Sequence, residues 1–349
     1  MREGAGVGLF AWRSGAAPPL TPPRESGEGK SRPSMTITVA PIVTARRKSR
    51  VSPRERLQNL LPKLVLAPSF VLVLIFVYGF NLWTLFLSFT NSKAFPSTKL
   101  VGLANYQKLW TWTFETDPPS SWYTALVNMG IFGGLYVFFC LVLGLMLAIL
   151  LDQKIRAEGI LRPIYLYPLA LSFIVTGTAW KLFLDPGIGL EKAVHVWGWT
   201  SFKFDWVVNP RMMIYCVAIA GIWQTSGFVM AMFLAGLRGV DGEIIKAAQI
   251  DGASAFATYR RIIIPIMRPV FLSAMIILTH MAIKSYDLVL SVTGKNPGGA
   301  AELPSTFMYS YTFTRNQMAV GSTSAVIMLM TIAAIMIPYL YSELREKAR

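Results

Sequence analysis

Six apolar runs, near 62–89, 122–151, 161–184, 212–237, 268–291 and 319–342, alternate with polar stretches along the chain. Crossing the hydrocarbon core of a bilayer takes about 20 apolar residues as a helix, so the pattern predicts six transmembrane helices and an all-α, multi-pass membrane protein. The third run is interrupted by Pro163, Pro168 and Gly177. Membrane helices accept such residues where neighbours satisfy the freed backbone groups. Gly130 and Gly134, four apart in the second run, are spaced for close helix packing. The first run is too long for a removed signal peptide and carries no small-residue cleavage site.

Basic residues between the runs set the orientation. Arg46, Arg47, Lys48, Arg50, Arg54 and Arg56 precede the first run; Lys154, Arg156 and Arg162 follow the second; Arg238, Lys246, Arg260, Arg261 and Arg268 lie around the fourth and fifth; Arg345, Lys347 and Arg349 end the chain. With six spans these four segments share one side, so both termini and the 241–269 loop are expected in the cytoplasm. The opposite loops hold fewer cations, Lys93, Lys99, Lys108, Lys192, Lys203, Lys295 and Arg315, balanced in part by Glu115, Asp117, Glu191, Asp205 and Glu302. They are also rich in aromatics: Trp110, Trp112 and Trp122, then Trp197, Trp199 and Trp206, then Tyr309 and Tyr311. An interfacial aromatic belt and a docking surface both account for these.

Composition agrees with the pattern. Of 349 residues, 54% are hydrophobic and only 15% charged, which excludes an ordinary soluble domain. Much of the net charge of +15 lies beside the apolar runs, which argues for a lipid boundary and against nucleic acid. Residues 1–34, rich in Gly, Pro, Ser and Arg without periodicity, read as disordered or as an upstream start, with Met35 the expected beginning. The expected organisation is a basic segment at 1–60, the first span with its outward loop at 61–121, a core at 122–342 and a tail at 343–349.

Little catalytic material is present. Gly29-Lys30-Ser31 lacks the first glycine and the preceding strand of a phosphate-binding loop, and His195 and His280 are the only histidines. His280 reads as a packing histidine. Cys140 and Cys216 both lie in apolar runs as small hydrophobes, so no disulfide and no metal site is expected. Lys284 and Asp287, one helical turn apart if the fifth span is continuous, offset each other's charge as an interfacial pair or a proton relay. Asn128, Gln224, Thr225 and Ser226, beside Trp223, are neutral hydrogen-bonders at membrane depth, suited to joining helices or to touching a substrate.

The 239–269 loop stands apart. Asp241 can cap a short helix through Ile250, Gly252 supplies a left-handed exit and Ser254 can start a second helix. Such a helix-turn-helix, with small residues and no lipid to cover it, suits a groove on a partner. Lys246-Ala247-Ala248, Asp251-Gly252-Ala253, Tyr259, Ile262 to Ile264, Pro265 and Pro269 resemble the EAA loop of binding-protein-dependent ABC importer permeases, with Lys246 in place of the usual glutamate. Ser285-Tyr286-Asp287, then Thr293-Gly294 and Phe307 to Phe313, resemble the segment after the fifth core helix of carbohydrate importers, with Lys295-Asn296 replacing the usual glycines.

The resemblance, from about residue 60 to the end, implies a type I ABC importer permease fold and a non-catalytic subunit in a bacterial inner membrane, passing a sugar. It implies that Glu243, Lys246, Ala247, Ala248, Asp251, Gly252, Ala253 and Pro265 couple to an ATPase. Asn128, Trp223, Gln224, Ser226 and Tyr286 are the candidate substrate path. No cofactor is expected on this chain; ATP and Mg²⁺ belong to a separate ATPase homodimer. The other implied partners are a related second permease subunit and a solute-binding protein. The rival reading is an ion-coupled secondary transporter using Lys284 and Asp287, although internal repeats and membrane-central charges are lacking.

Overall fold

The computed structural model describes residues 53–114, 121–153, 158–294 and 299–347. The 1–34 segment, Met35, the cations at 46–50, Glu115, Asp117, Lys154, Arg156, Lys295 and Asn296 lie outside the described residues. By its contacts the chain divides into Met1–Pro62 and Lys63–Arg349. The described part of the first unit, 53–62, is helical.

Among the described residues every regular element is helical, joined by loops that hold an isolated bridge between Thr90 and Leu100. Helix α1 (Pro53–Val73) runs through a π-helical turn (Leu74–Gly79) into α2 (Phe80–Ser88). From Leu64 to Tyr78 its large apolar side chains are exposed, as expected of a span whose solvent is lipid. A short α3 (Ala104–Phe114) is tied back by Asn105, whose Nδ2 donates to the carbonyls of Ser88 (2.8 Å) and Thr90 (2.9 Å). The long α4 (Ser121–Asp152) follows.

The third apolar run is not one straight helix. It forms α5 (Glu158–Ala170) and α6 (Phe173–Phe183), bent by 100° at their junction. Pro168 has no N–H for the α5 ladder. Ser172 then restarts the chain by accepting from the Val175 N–H (3.3 Å). After α7 (Leu190–Val196) comes α8 (Met213–Arg238), the most buried of the spans. The 241–269 segment forms α9 (Gly242–Ile250), α10 (Ala255–Thr258), a π-helical turn (Tyr259–Ile263) and α11 (Ile264–Ile266). Since Pro265 has no N–H to extend a regular ladder, the turn closes instead through Ile264 N–H to Tyr259 O.

The fifth apolar run is also broken. Helix α12 (Arg268–Ile283) ends at Lys284, and α13 (Asp287–Thr293) begins three residues later. A brief α14 (Pro304–Tyr309) and a π-helical turn (Ser310–Thr314) lead into α15 (Met318–Lys347). Among the described residues four helices are long and apolar enough to span a membrane, and six spans result if each of two bent pairs, α5 with α6 and 255–266 with α12, counts once.

Helices α4 and α8 form the centre. Phe132, Tyr136 and Cys140 of α4 share one apolar cluster with Val217, Val229, Met230 and Phe233 of α8, Leu278 of α12 and Leu288 of α13. Close approach is set by glycines other than those the spacing suggested. A Cβ on Gly144 would meet Val229 at 2.6 Å, one on Gly177 would meet Ser291 Oγ at 1.9 Å, and one on Gly227 would meet the Tyr165 carbonyl oxygen at 1.9 Å. Gly130 and Gly134 have nothing within 4 Å. A second cluster gathers Leu109, Trp122, Ala125, Phe307, Tyr311 and Val320. Trp122 is thus a core residue with its ring tilted against that of Phe307 (5.0 Å between centres), not a member of an interfacial belt, while Trp110, Trp197 and Trp199 are exposed.

Candidate functional site

The loop between α8 and α12 is built as its residues dictate. Asp241 Oδ1 accepts from the Glu243 N–H (2.9 Å), Gly252 leaves α9 at φ +78°, and Ser254 Oγ accepts from the Ala257 N–H (3.3 Å). Glu243, Lys246, Ala247, Asp251 and Gly252 are exposed on it. Ala248 is buried and Ala253 half-buried, because both face back toward the bundle. Ala248 is thus not on the exposed face of the loop, and Ala253 is only partly so. The outward apolar surface comes mainly from Ile250 (85% exposed), which the apolar pattern of α9 already included, and Phe256 (73% exposed), which it passed over, together with Ile244 (43% exposed). Their signal was plain size: large apolar side chains inside an otherwise polar connection.

The loop's inner side covers a cavity of about 220 Å³ lined by Asp152, Leu237, Gln249, Thr258 and Tyr259 among others. Beside it the first residue of α5, Glu158, and the last of α8, Arg238, form a salt bridge. Pro265 lies behind the π turn, where it shapes the backbone.

A second cavity, about 200 Å³, lies where the two broken spans meet. Phe132 and Tyr136 of α4, Phe173 at the start of α6, and Lys284-Ser285-Tyr286-Asp287 between α12 and α13 line it. The second halves of the broken spans cross at Gly177 and Ser291, whose Oγ also donates to the Phe173 carbonyl (3.3 Å). This crossing brings both breaks to one place.

The break changes the reading of Lys284 and Asp287. They belong to two different helices, no ion pair joins them, and both are exposed toward the cavity region. Among the described residues the salt bridge is Arg238–Glu158. The i, i+3 geometry that would have balanced them needs a continuous helix. Among the described residues neither charge has an ion-pair partner, so both can face a polar ligand.

The neutral candidates separate into two groups. Gln224, 1% exposed, donates from Nε2 to the Leu171 carbonyl (2.8 Å), the group set free at the α5–α6 break. Its Oε1 is buried without a hydrogen-bond partner among the described residues. Asn128 donates through Nδ2 to the carbonyls of Ala300 (2.9 Å) and Glu302 (3.0 Å), so its donors are spent on the fold. Thr225 accepts from Tyr136 OH (2.9 Å), and Ser226 donates weakly to the Trp223 carbonyl (3.4 Å). Trp223 is exposed and meets Trp180 edge-on at 5.8 Å. Of the proposed path, Tyr286 alone lines the cavity.

Four to six spans, two of the apolar runs broken beside a cavity of mixed apolar and polar lining, and a two-helix loop between α8 and α12, define a membrane transport subunit. The sequence matches the family described as "Binding-protein-dependent transport system inner membrane component" over residues 140–346, and the chain belongs to that family. It is 38% identical to a probable ABC transporter permease of Pyrococcus horikoshii, an alignment covering 82% of this chain and 96% of that one. It is 32% identical to a xylose/arabinose import permease of Haloferax volcanii, covering 79% and 86%. Among solved structures it resembles a chain of a bacterial ABC transporter involved in the import of the acidic polysaccharide alginate, with TM-score 0.72, 17% identity and coverage of 84% and 98%. The fold is therefore that of an ABC importer permease.

Proposed function

We propose that this chain is one of two related permease subunits of a sugar importer, forming half of the translocation path in a cell membrane. A solute-binding protein delivers the sugar. Two ATPase subunits hold ATP and Mg²⁺ and engage α9–α10 from the cytoplasm, the side assigned by the flanking lysines and arginines. The chain itself performs no covalent step.

The observation that carries this reading is the exposed face of α9–α10. Ile250 and Phe256 stand out from it beside Glu243, Lys246 and Asp251. Two short capped helices move as a rigid unit, so closure of the ATPases is passed through them to the broken spans. A sugar suits the cavity: Tyr136, Tyr286 and Phe132 offer ring faces to its C–H groups, while Ser285, Lys284 and Asp287 offer partners for hydroxyls. One cation and one anion favour an uncharged sugar over a phosphate ester. The pentose import of the Haloferax relative supports the same class.

Gly252→Asp tests the docking face. At φ +78°, with nothing within 4 Å of a Cβ, this position has room for a side chain in the chain alone, and Asp tolerates left-handed backbone. The variant should insert and fold. Co-purification from membranes should then recover the ATPase and second permease with the wild-type chain, and lose the ATPase from the variant. Retention of the ATPase with normal uptake sinks the docking assignment.

A further inference from the structure

The segment between α13 and α15 ties the outer end of α4 to the membrane cavity. It begins at residues 299–302, where Asn128 holds the carbonyls of Ala300 and Glu302. The side chain of Glu302 turns inward and is only 5% exposed. Three groups bear on it: the Ser121 hydroxyl at the start of α4, the Tyr311 hydroxyl, and the guanidinium of Arg315. Arg315 is committed elsewhere as well, donating from Nη1 to Tyr311 OH (2.7 Å) with its guanidinium 4.5 Å from the Tyr311 ring centre. Helix α3 contributes apolar Leu109 to the same region. One carboxyl oxygen, Oε2, is buried with no hydrogen-bond partner among the described residues. A buried carboxylate with an unsatisfied oxygen is costly when ionised and cheap when protonated.

Directly after Glu302 the chain reaches the cavity. Leu303 N–H donates to Thr306 Oγ1 (2.8 Å), fixing the first turn of α14. Ser305 Oγ donates to the Ser285 carbonyl, a group left over at the α12–α13 break. One turn on, the Tyr309 ring lies 4.9 Å from that of Tyr286. The stretch 302–309 is thus a brace with a carboxyl at one end and two cavity residues at the other.

We propose that Glu302 is a positioning residue: protonated, it seats α14 against Ser285 and Tyr286; ionised, it loosens that brace, so that the opening of the cavity follows the pH of the water beside this loop. The proton is exchanged with that water and no other reactant is needed. Burial pushes the Glu302 carboxyl up to about 7, with Arg315 and Ser121 pulling the other way. The switch therefore falls in a range that cells meet. Its effect on transport rests on the cavity being the substrate site. The movement does not.

The test reads the movement without a substrate. Ser285→Cys keeps the backbone carbonyl and puts a thiol on the cavity wall, while Cys140 and Cys216 are buried. In membranes holding the whole transporter, a water-soluble methanethiosulfonate is reacted with Ser285→Cys alone and with Ser285→Cys plus Glu302→Gln. Taking the ratio of the two rates at each pH cancels the thiol's own ionisation. The ratio should be near one at pH 6 and rise severalfold by pH 8. A ratio flat across that range overturns the proposal. Ser305→Ala, which cuts the brace without touching the carboxyl, should label fast at every pH; if it instead follows the Glu302 chain, the brace is wrong. Uptake unaffected by Asp287→Asn would remove the substrate reading and leave the labelling result standing.

Discussion

Glu302 also fixes a stability trend. Its folded-state carboxyl is raised from 4.5 to about 7, so the folded form binds its proton more tightly than the unfolded one. The stabilisation is complete below pH 4.5 and is lost as pH rises through 7. Glu302→Gln removes the ionisation at nearly constant shape. In detergent the two proteins should melt alike at pH 4.5, with the variant higher at pH 8 by an amount corresponding to at most about 3 kcal/mol. A wild-type chain that gains stability on going from pH 6 to pH 8 would contradict this. At the same scale, the sequence marks Asn128 and Gln224 as costly polar residues inside spans, and that much was legible. Their partners were not, since a hydrogen bond to Ala300 or Leu171 depends on where another element breaks.

Between elements, contact is controlled by positions where a single methyl group has nowhere to go. Gly227→Ala would drive a Cβ into the Tyr165 carbonyl, which is backbone and cannot swing aside. That substitution should cost about 1–3 kcal/mol by overpacking, seen as a lower melting temperature, whereas Gly134→Ala, facing open space, should leave it unchanged. The Gly-x-x-x-Gly spacing marks no contact within this chain, because small residues mark an interface only where a neighbouring helix lies over them. Likewise Pro168 announced the bend after α5, but nothing in Lys284-Ser285-Tyr286 announces the second break. That break is held from outside by α14, so local propensity carries no trace of it. The caps Asp241 and Ser254 and the turn at Gly252 were fully legible, because each is satisfied within three residues.

For the whole molecule, hydropathy predicts six spans, and the described residues hold four, or six if each bent pair counts once. The stretch from Leu64 to Trp83 is apolar and exposed, so its environment must be lipid or another apolar chain. Phe76→Lys, in the middle of that span, should cost roughly 2.5–3.5 kcal/mol of insertion and lower the membrane-integrated fraction in an insertion assay. Phe95→Lys, in the exposed loop beyond it, should leave that fraction unchanged. The clamp made by Asn128 has a bearing on how such a chain is born. Its acceptors lie 172 and 174 residues further along, which at 5–20 residues/s amounts to roughly 10–35 s of translation. Throughout that interval the second span lacks the two acceptors that its amide has in the finished fold. A later part of the chain thus completes the setting of a helix made long before it, and a chain cut short before residue 300 lacks both acceptors for the Asn128 amide.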